Sequence, residues 1–190
     1  MPKLTVFLHL TLDGIYAGPR GDLDWFKAVP KDDEFEAYTH GAAQSGNALI
    51  FGRATYDMMK SYWPTPDAIA SDPDMARAVN QSRKIVFSKS LKDVAEGPNW
   101  RNVTVLREID PSEILELKTQ AKTDFTTLGS GSVVRQLANL GLVDEFNFVV
   151  APIVLGRGKE LFEGVGETRL KLLESRSFDN GMTLLRYTPA

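Results

Sequence analysis

Gly129-Ser130-Gly131-Ser132 stands between a strand-like run, Thr123–Leu128, and an apolar-periodic stretch, Val133–Leu140. Small residues at a strand-to-helix junction let the backbone come close to an anion. The unpaired N–H groups of the helix start point at that anion, reinforced by the positive end of the helix dipole. Leu49-Ile50-Phe51-Gly52-Arg53-Ala54-Thr55 repeats the arrangement with a guanidinium included, and a third buried run, Lys84–Phe87, ends in Ser88-Lys89-Ser90. Two anion cradles suit a dinucleotide better than a lone phosphate. Arg53 and Lys89 are cations suited to a 2′-phosphate, which favours NADPH over NADH. Each motif also has a plain structural reading. Gly129-Ser130-Gly131 matches only part of a dinucleotide fingerprint, because Val134 holds the third glycine position. Thr55 can simply assist a helix start, and Ser88-Lys89-Ser90 can be a polar loop. The weight comes from one pattern occurring three times at what would be one sheet edge.

Asp13, Asp22 and Asp24 are the acid candidates. A carboxyl group in an apolar pocket beside Trp25 would have a raised pKa and could take part in proton transfer, whereas turn aspartates in water would not. Other chemistries fall away. The chain has no cysteine and two histidines, so thiolate catalysis and a His/Cys metal site are not expected. There is no G-x-S-x-G, H-E-x-x-H or Walker sequence. A net charge of −3 gives no field to attract polyanions, so phosphate recognition must be local and nucleic acid is not an expected partner. No window approaches the ~20 apolar residues of a membrane helix, and the cysteine-free chain fits the cytoplasm.

At 190 residues, 43% hydrophobic and 25% charged, the chain is expected to form one domain, 1–190. Leu4, Val6, Leu8 and Leu10 alternate with Thr5, Phe7 and His9 as a first strand, turned at Asp13-Gly14. Ile15–Pro30 reads as an irregular functional loop. Then follow a helix over Asp32–Gln44, a buried strand Ala48–Phe51, a helix Arg53–Ser61, and a long proline-rich connection, Trp63–Asp74. Strands at Lys84–Phe87 and Val103–Val105 precede a helix, Ile114–Ala121, opened by Asp110-Pro111-Ser112-Glu113. After the cradle helix the texture changes to strands at Asp144–Val150, Leu170–Ser177 and Met182–Tyr187, the last two joined by the turn Asp179-Asn180-Gly181. The order implies an α/β fold with a mostly parallel mixed sheet, helices on both faces, and antiparallel strands at the C-terminus. Ligands of such sheets bind at the carboxyl ends of the parallel strands.

With these residues assembled, the chain resembles the dihydrofolate reductase superfamily, and within it the family of the C-terminal reductase domain of bifunctional riboflavin-biosynthesis proteins. The matching pieces are Thr11-Leu12-Asp13-Gly14, Gly21-Asp22-Leu23-Asp24-Trp25-Phe26, Phe51-Gly52-Arg53-Ala54-Thr55-Tyr56, Ile85-Val86-Phe87-Ser88, Leu128-Gly129-Ser130-Gly131-Ser132, Leu142-Val143-Asp144-Glu145 and Ala151-Pro152-Ile153-Val154-Leu155-Gly156. They cover nearly the whole chain in order. The resemblance implies a three-layer dihydrofolate reductase-like fold and an NADPH-dependent reductase of a small heterocycle, similar to 5-amino-6-(5-phosphoribosylamino)uracil reductase. It implies that Gly52, Arg53, Ala54 and Thr55 meet the pyrophosphate and 2′-phosphate, that Ser88, Lys89 and Ser90 flank the adenosine end, that Gly129 to Val133 hold the pyrophosphate, and that Ile15 borders the nicotinamide. Asp22 or Asp24 would assist protonation, and His9, Asp13, Trp25 and Tyr56 are the expected substrate contacts. A homodimer is expected on the same ground. The zinc deaminase pattern of the bifunctional proteins is missing, so deamination by that route is not expected, and Leu128 replaces the acidic residue usual before the glycine pair. Dihydrofolate or pterin reduction, and a nucleotide-binding module without turnover, stay open.

Overall fold

A computed structural model describes residues 1–43, 45–92, 94 and 96–190. The alternation of Leu4, Val6, Leu8 and Leu10 with more polar neighbours yields strand β1, Leu4–Thr11, whose even-numbered side chains are buried. Around it forms one eight-stranded sheet. On one side of β1 lie β6 (Phe125–Leu128), β3 (Ala48–Gly52), β4 (Lys84–Phe87) and the edge strand β5 (Val103–Leu106), all parallel. On the other side, β7 (Glu145–Ala151) is parallel to β1, β10 (Thr183–Pro189) runs against it, and β9 (Leu170–Ser177) closes the sheet antiparallel to β10. The turn at Asp179-Asn180-Gly181 is made by Phe178, which donates to the Met182 carbonyl at 2.9 Å, and by Gly181 at φ +83°.

Helices cover both faces. On one face α5 (Pro111–Gln120) and α6 (Gly131–Asn139) contribute Ile114, Val133, Val134 and Leu137 to a core with the even-numbered residues of β1. On the other face two separate clusters form. Beneath α2 (Arg53–Tyr62) and α4 (Pro73–Gln81) lie Tyr56, Val79, Leu49, Phe51 and Trp100. Beneath α1 (Asp33–Ala43) lie Phe35, Trp25, Val149, Phe178 and Leu184. The space between these clusters, over β6 and β1, is left open.

Three expectations change. The connection Trp63–Asp74 contains α3 (Pro66–Ser71) and the start of α4. Its prolines are helix starters: Thr65 and Asp72 accept from the Ala68 and Met75 N–H groups at 3.3 and 3.0 Å, and Pro66 and Pro73 take the first helical positions, where no N–H is needed. The loop Ile15–Pro30 begins with β2, Ile15–Ala17, which pairs with β8, Lys159–Glu160, and later forms a short 3-10 helix, Asp24–Ala28. The helix expected over Asp32–Gln44 begins one residue later, with Asp32 as its cap, and Gln44 lies outside the described residues. Among the described residues no helix is long and apolar enough to cross a membrane.

Lys84, at the amino end of β4, is fully buried. Its ammonium donates to the carbonyls of Asn80, Ser82 and Arg101 at 2.8, 2.8 and 3.1 Å and lies 4.5 Å from the centre of the Trp100 ring. Burial pushes its pKa down to about 8.

Candidate functional site

Neighbouring parallel strands place Gly52, at the end of β3, beside the residues that follow β6. The chain leaves β6 through two successive left-handed residues, Gly129 at φ +58° and Ser130 at φ +61°. Glycine adopts this conformation freely, but serine does so only under constraint. The constraint is visible: Ser130 Oγ accepts the Gly52 N–H at 2.9 Å and donates to the Leu128 carbonyl at 3.2 Å. Gly129 packs against Thr55, where an added Cβ would sit 3.6 Å from Oγ1. The two strand-to-helix junctions therefore form one feature, with α2 and α6 starting side by side. The Val133 and Val134 N–H groups return to the Ser130 carbonyl at 2.8 and 3.1 Å, so those of Gly131 and Ser132 have no acceptor within the helix. Gly131 is the narrow point, because a Cβ there would lie 2.4 Å from the Tyr16 ring. A junction whose Gly131 and Ser132 N–H groups are free of helix partners, at a helix start, has the donors that a pyrophosphate needs.

The other expected cofactor residues divide. Arg53 and Ala54 are exposed at the start of α2, with Arg53 Nε on Asp57 Oδ2 at 2.6 Å. Lys89 and Ser90 are exposed just beyond β4, next to β3. Ser88 is buried and committed to its own turn: its hydroxyl accepts the Leu91 N–H at 3.1 Å, and Arg107, not singled out from the sequence, donates to its carbonyl at 3.1 Å. Val133 packs beneath Gly52, and Ile15 is buried in β2 against Gly158. These two shape the fold around the cradle.

Leu128, immediately before the cradle, also lines a cleft of about 860 Å³ over the open part of the sheet. Its floor is one sheet face: Thr5, Phe7 and His9 from β1, Leu128 and Thr126 from β6, Leu49 from β3 and Asn147 from β7. Its walls come from α1, from α2 and α4 with the Trp63 that follows α2, and from the 3-10 helix through Phe26. His9 is ringed by Phe26, Phe7 and Phe35 at centroid distances of 4.9, 5.3 and 5.8 Å, each edge-on. Its Nε2 is buried with no hydrogen-bond partner among the described residues, and burial lowers its pKa to about 4, so the imidazole is neutral at pH 7.

Of the expected substrate contacts, His9 alone lines this cleft. Tyr56 is 1% exposed in the cluster beneath α2, where its hydroxyl accepts from Trp100 Nε1 at 3.2 Å, and is a core residue. Asp13 is a clamp. It accepts from Thr11 Oγ1 at 2.5 Å and from the Gly156 and Leu155 N–H groups at 2.7 and 3.3 Å, tying the first turn to the loop after β7. The Thr11 hydroxyl, followed by the Gly156 N–H, holds its carboxyl below the usual range. Trp25 is buried under α1, and its neighbour Phe26 reaches the cleft instead. Asp24 is exposed and bonded to Lys27 at 2.7 Å, which lowers its pKa, the reverse of the raised value expected beside Trp25. Asp22 packs its carboxylate against Gly18, and neither aspartate lines the cleft.

Comparisons with known proteins bear on the family and the fold. The family model described as RibD C-terminal domain matches residues 2–184. A Bacillus subtilis protein of uncharacterised function, YyaP, is 28% identical over 186 residues, covering 97% of this chain and 94% of its own. A solved Shewanella sp. PV-4 protein assigned to riboflavin biosynthesis superposes with a TM-score of 0.74 at 24% identity, over 99% of each chain. Dihydrofolate reductase from Enterococcus faecalis, solved with NADP(H), superposes with a TM-score of 0.63 at 16% identity, over 98% of this chain and 96% of that one. The three-layer dihydrofolate reductase-like fold expected from the sequence is thus present.

Proposed function

The chain belongs to the RibD C-terminal domain family, and from that premise we propose that it is an NADPH-dependent oxidoreductase that reduces a small heterocycle of the kind handled by the pyrimidine reductases of riboflavin biosynthesis. The observation that carries this reading is the bond from the Gly52 N–H to Ser130 Oγ. It joins two helix starts into one anion cradle whose lip, Leu128, is also part of the cleft floor. A dinucleotide held there by its pyrophosphate can extend one end toward Arg53 and Lys89 and the other toward the cleft.

When bound, NADPH supplies a hydride. The residues of this chain orient, desolvate and select. Gly131 and Ser132, whose backbone N–H groups have no acceptor within the helix, would offer them to the pyrophosphate, while the Gly129 N–H is held by the Phe7 carbonyl at 3.3 Å. Arg53 and Lys89 meet the 2′-phosphate. Phe7 on the floor and Phe26, Phe35 and Trp63 on the walls exclude water from a stacked ring. The accompanying proton arrives from solvent at the mouth, because the carboxylates that line the cleft, Asp32 and Glu36, stand on or before α1 and not on the floor.

Calorimetric titration with NADPH and NADH tests the reading. NADPH should bind at least tenfold tighter than NADH, and the Arg53→Ala/Lys89→Ala double variant should lose that preference while keeping its fold by circular dichroism. Equal affinity for the two cofactors, or a preference that survives in the double variant, would remove the assignment of those cations.

A further inference from the structure

The helical walls of the cleft, α1 on one side and α2 with α4 on the other, belong to separate apolar clusters. Phe35 and Tyr38 of α1 pack with Phe178, whereas Met59, Met75 and Val79 pack with Tyr56 and Leu49. The walls nevertheless meet, because α1 comes up to α4. The side chains along this seam are small: Ala42 and Ala43 from the last turn of α1 and Ala78 from α4. Space lies on both sides of it. Ala43 lines the cleft and also a second hollow of about 480 Å³, which Asp74, Arg77 and Ala78 of α4 line as well. Alanines between two hollows bury little apolar surface and touch few atoms, so packing contributes little to holding the seam.

A polar contact bridges it. His40 Nε2, in the last turn of α1, meets Asp72 Oδ2 at 2.9 Å. The aspartate is fixed in advance: its other oxygen caps α4 by accepting the Met75 N–H at 3.0 Å, and Pro73 follows it in the chain. Forming the bridge therefore orders the imidazole alone. A histidine at a helix C-terminus and a carboxylate at a helix N-terminus also stand where the two dipoles favour their charges. With side chains 37% and 26% exposed, the partners can part into water without leaving a charge buried. We propose that the seam between α1 and α4 is a side entrance to the cleft and that the His40–Asp72 pair is its latch. Separating the pair joins the cleft to the outer hollow past Ala43 and opens a route to Trp63 and the sheet floor. Neither latch residue lines the cleft or belongs to the cradle, so this inference stands apart from the reductase reading.

Two readouts on the full chain test it. Because the chain has no cysteine, Ala37→Cys on α1 and Arg77→Cys on α4, both at exposed positions, can carry a pair of spin labels whose separation is measured by double electron–electron resonance. Entry is read by acrylamide quenching of tryptophan fluorescence in the unlabelled protein, since Trp25 and Trp100 are 7% and 2% exposed and Trp63 lines the cleft. His40→Ala removes the latch and leaves the Asp72 cap and the helix intact, whereas His40→Gln keeps a donor for Asp72. The alanine variant should add a population at longer distance and raise the quenching constant about twofold, the shift expected of an open–closed equilibrium that loses a half-exposed ion pair. The glutamine variant should match wild type in both. Distances unmoved by His40→Ala, a moved seam with unchanged quenching, or a glutamine variant as open as the alanine one would each overturn the proposal.

Discussion

Ser130→Ala should separate the two halves of the cradle. In the native chain the Ser130 hydroxyl accepts a buried Gly52 N–H at 2.9 Å and donates to Leu128 at 3.2 Å. Alanine leaves the Gly52 donor without an acceptor, at about 1–3 kcal/mol, and removes a second, longer bond. It also keeps the cost of a side chain in the left-handed region, so nothing offsets these losses. The expected destabilisation is about 2 kcal/mol. For a chain of this length that is a fall in Tm of about 4–8 °C. Ser130→Gly loses the same bonds but relieves the left-handed strain, of order 1–2 kcal/mol, against about 0.4–1 kcal/mol of added unfolded-state entropy. Glycine should therefore be the milder replacement by up to about 1.6 kcal/mol. Urea unfolding of the three proteins, with NADPH titrations of each, provides the assay. Both variants should bind NADPH more weakly, because the helix starts lose their common anchor. An alanine variant as stable as wild type would mean that the Gly52 N–H is satisfied some other way and that the junctions are not held together by this bond.

Gly131→Ala places a Cβ 2.4 Å from the Tyr16 ring, and such overpacking should cost about 1–3 kcal/mol. Pairing it with Tyr16→Ala should recover part of the stability in a double-mutant cycle, and simple additivity in that cycle would show that the two do not meet. Lys84 gives a pH signature. Its folded pKa is depressed to about 8 from 10.5. Between those values the unfolded chain holds more protons, so the stability attributable to this residue should rise as pH rises through that window, by up to about 3 kcal/mol. Comparing wild type with Lys84→Met by urea unfolding between pH 7.5 and 10 reads it, and a difference that shrinks with pH would mean the three carbonyls and Trp100 favour the ammonium over burial.

The fold was legible wherever one short stretch carries its own instruction. Lys84–Phe87 and Leu170–Ser177 have the bounds expected, and the Asp110-Pro111 start of α5 is confirmed by Asp110 accepting the Ser112 and Glu113 N–H groups at 2.8 and 3.1 Å. Where one residue type has two uses, the reading went astray. Pro66 and Pro73 look like breakers until Thr65 and Asp72 are recognised as caps. β2 and β8 are three and two residues long and exist through each other, so neither segment alone signals a strand.

The cradle and the cleft differ for the same reason. Gly129, Ser130 and Gly131 advertise a left-handed exit from a strand within four residues, and the structure adds only the partner, Gly52. The cleft has no local signature. Its floor takes Thr5, Phe7 and His9 from one strand, Thr126 and Leu128 from a second, and Leu49 and Asn147 from two more, and these residues become neighbours only through parallel registers set across the sheet. Carboxylates drew attention because acids are the usual carriers of proton chemistry. Yet Asp13 and Asp24 spend their charge on Gly156 and Lys27. The informative signal was the break in pattern on β1, where Phe7 and His9 occupy the face that a one-sided strand would leave polar. A strand with apolar residues on both faces must be covered on both. Here the second cover is incomplete over β6 and β1, which leaves an aromatic floor with an unpaired imidazole nitrogen where the proposed substrate would lie.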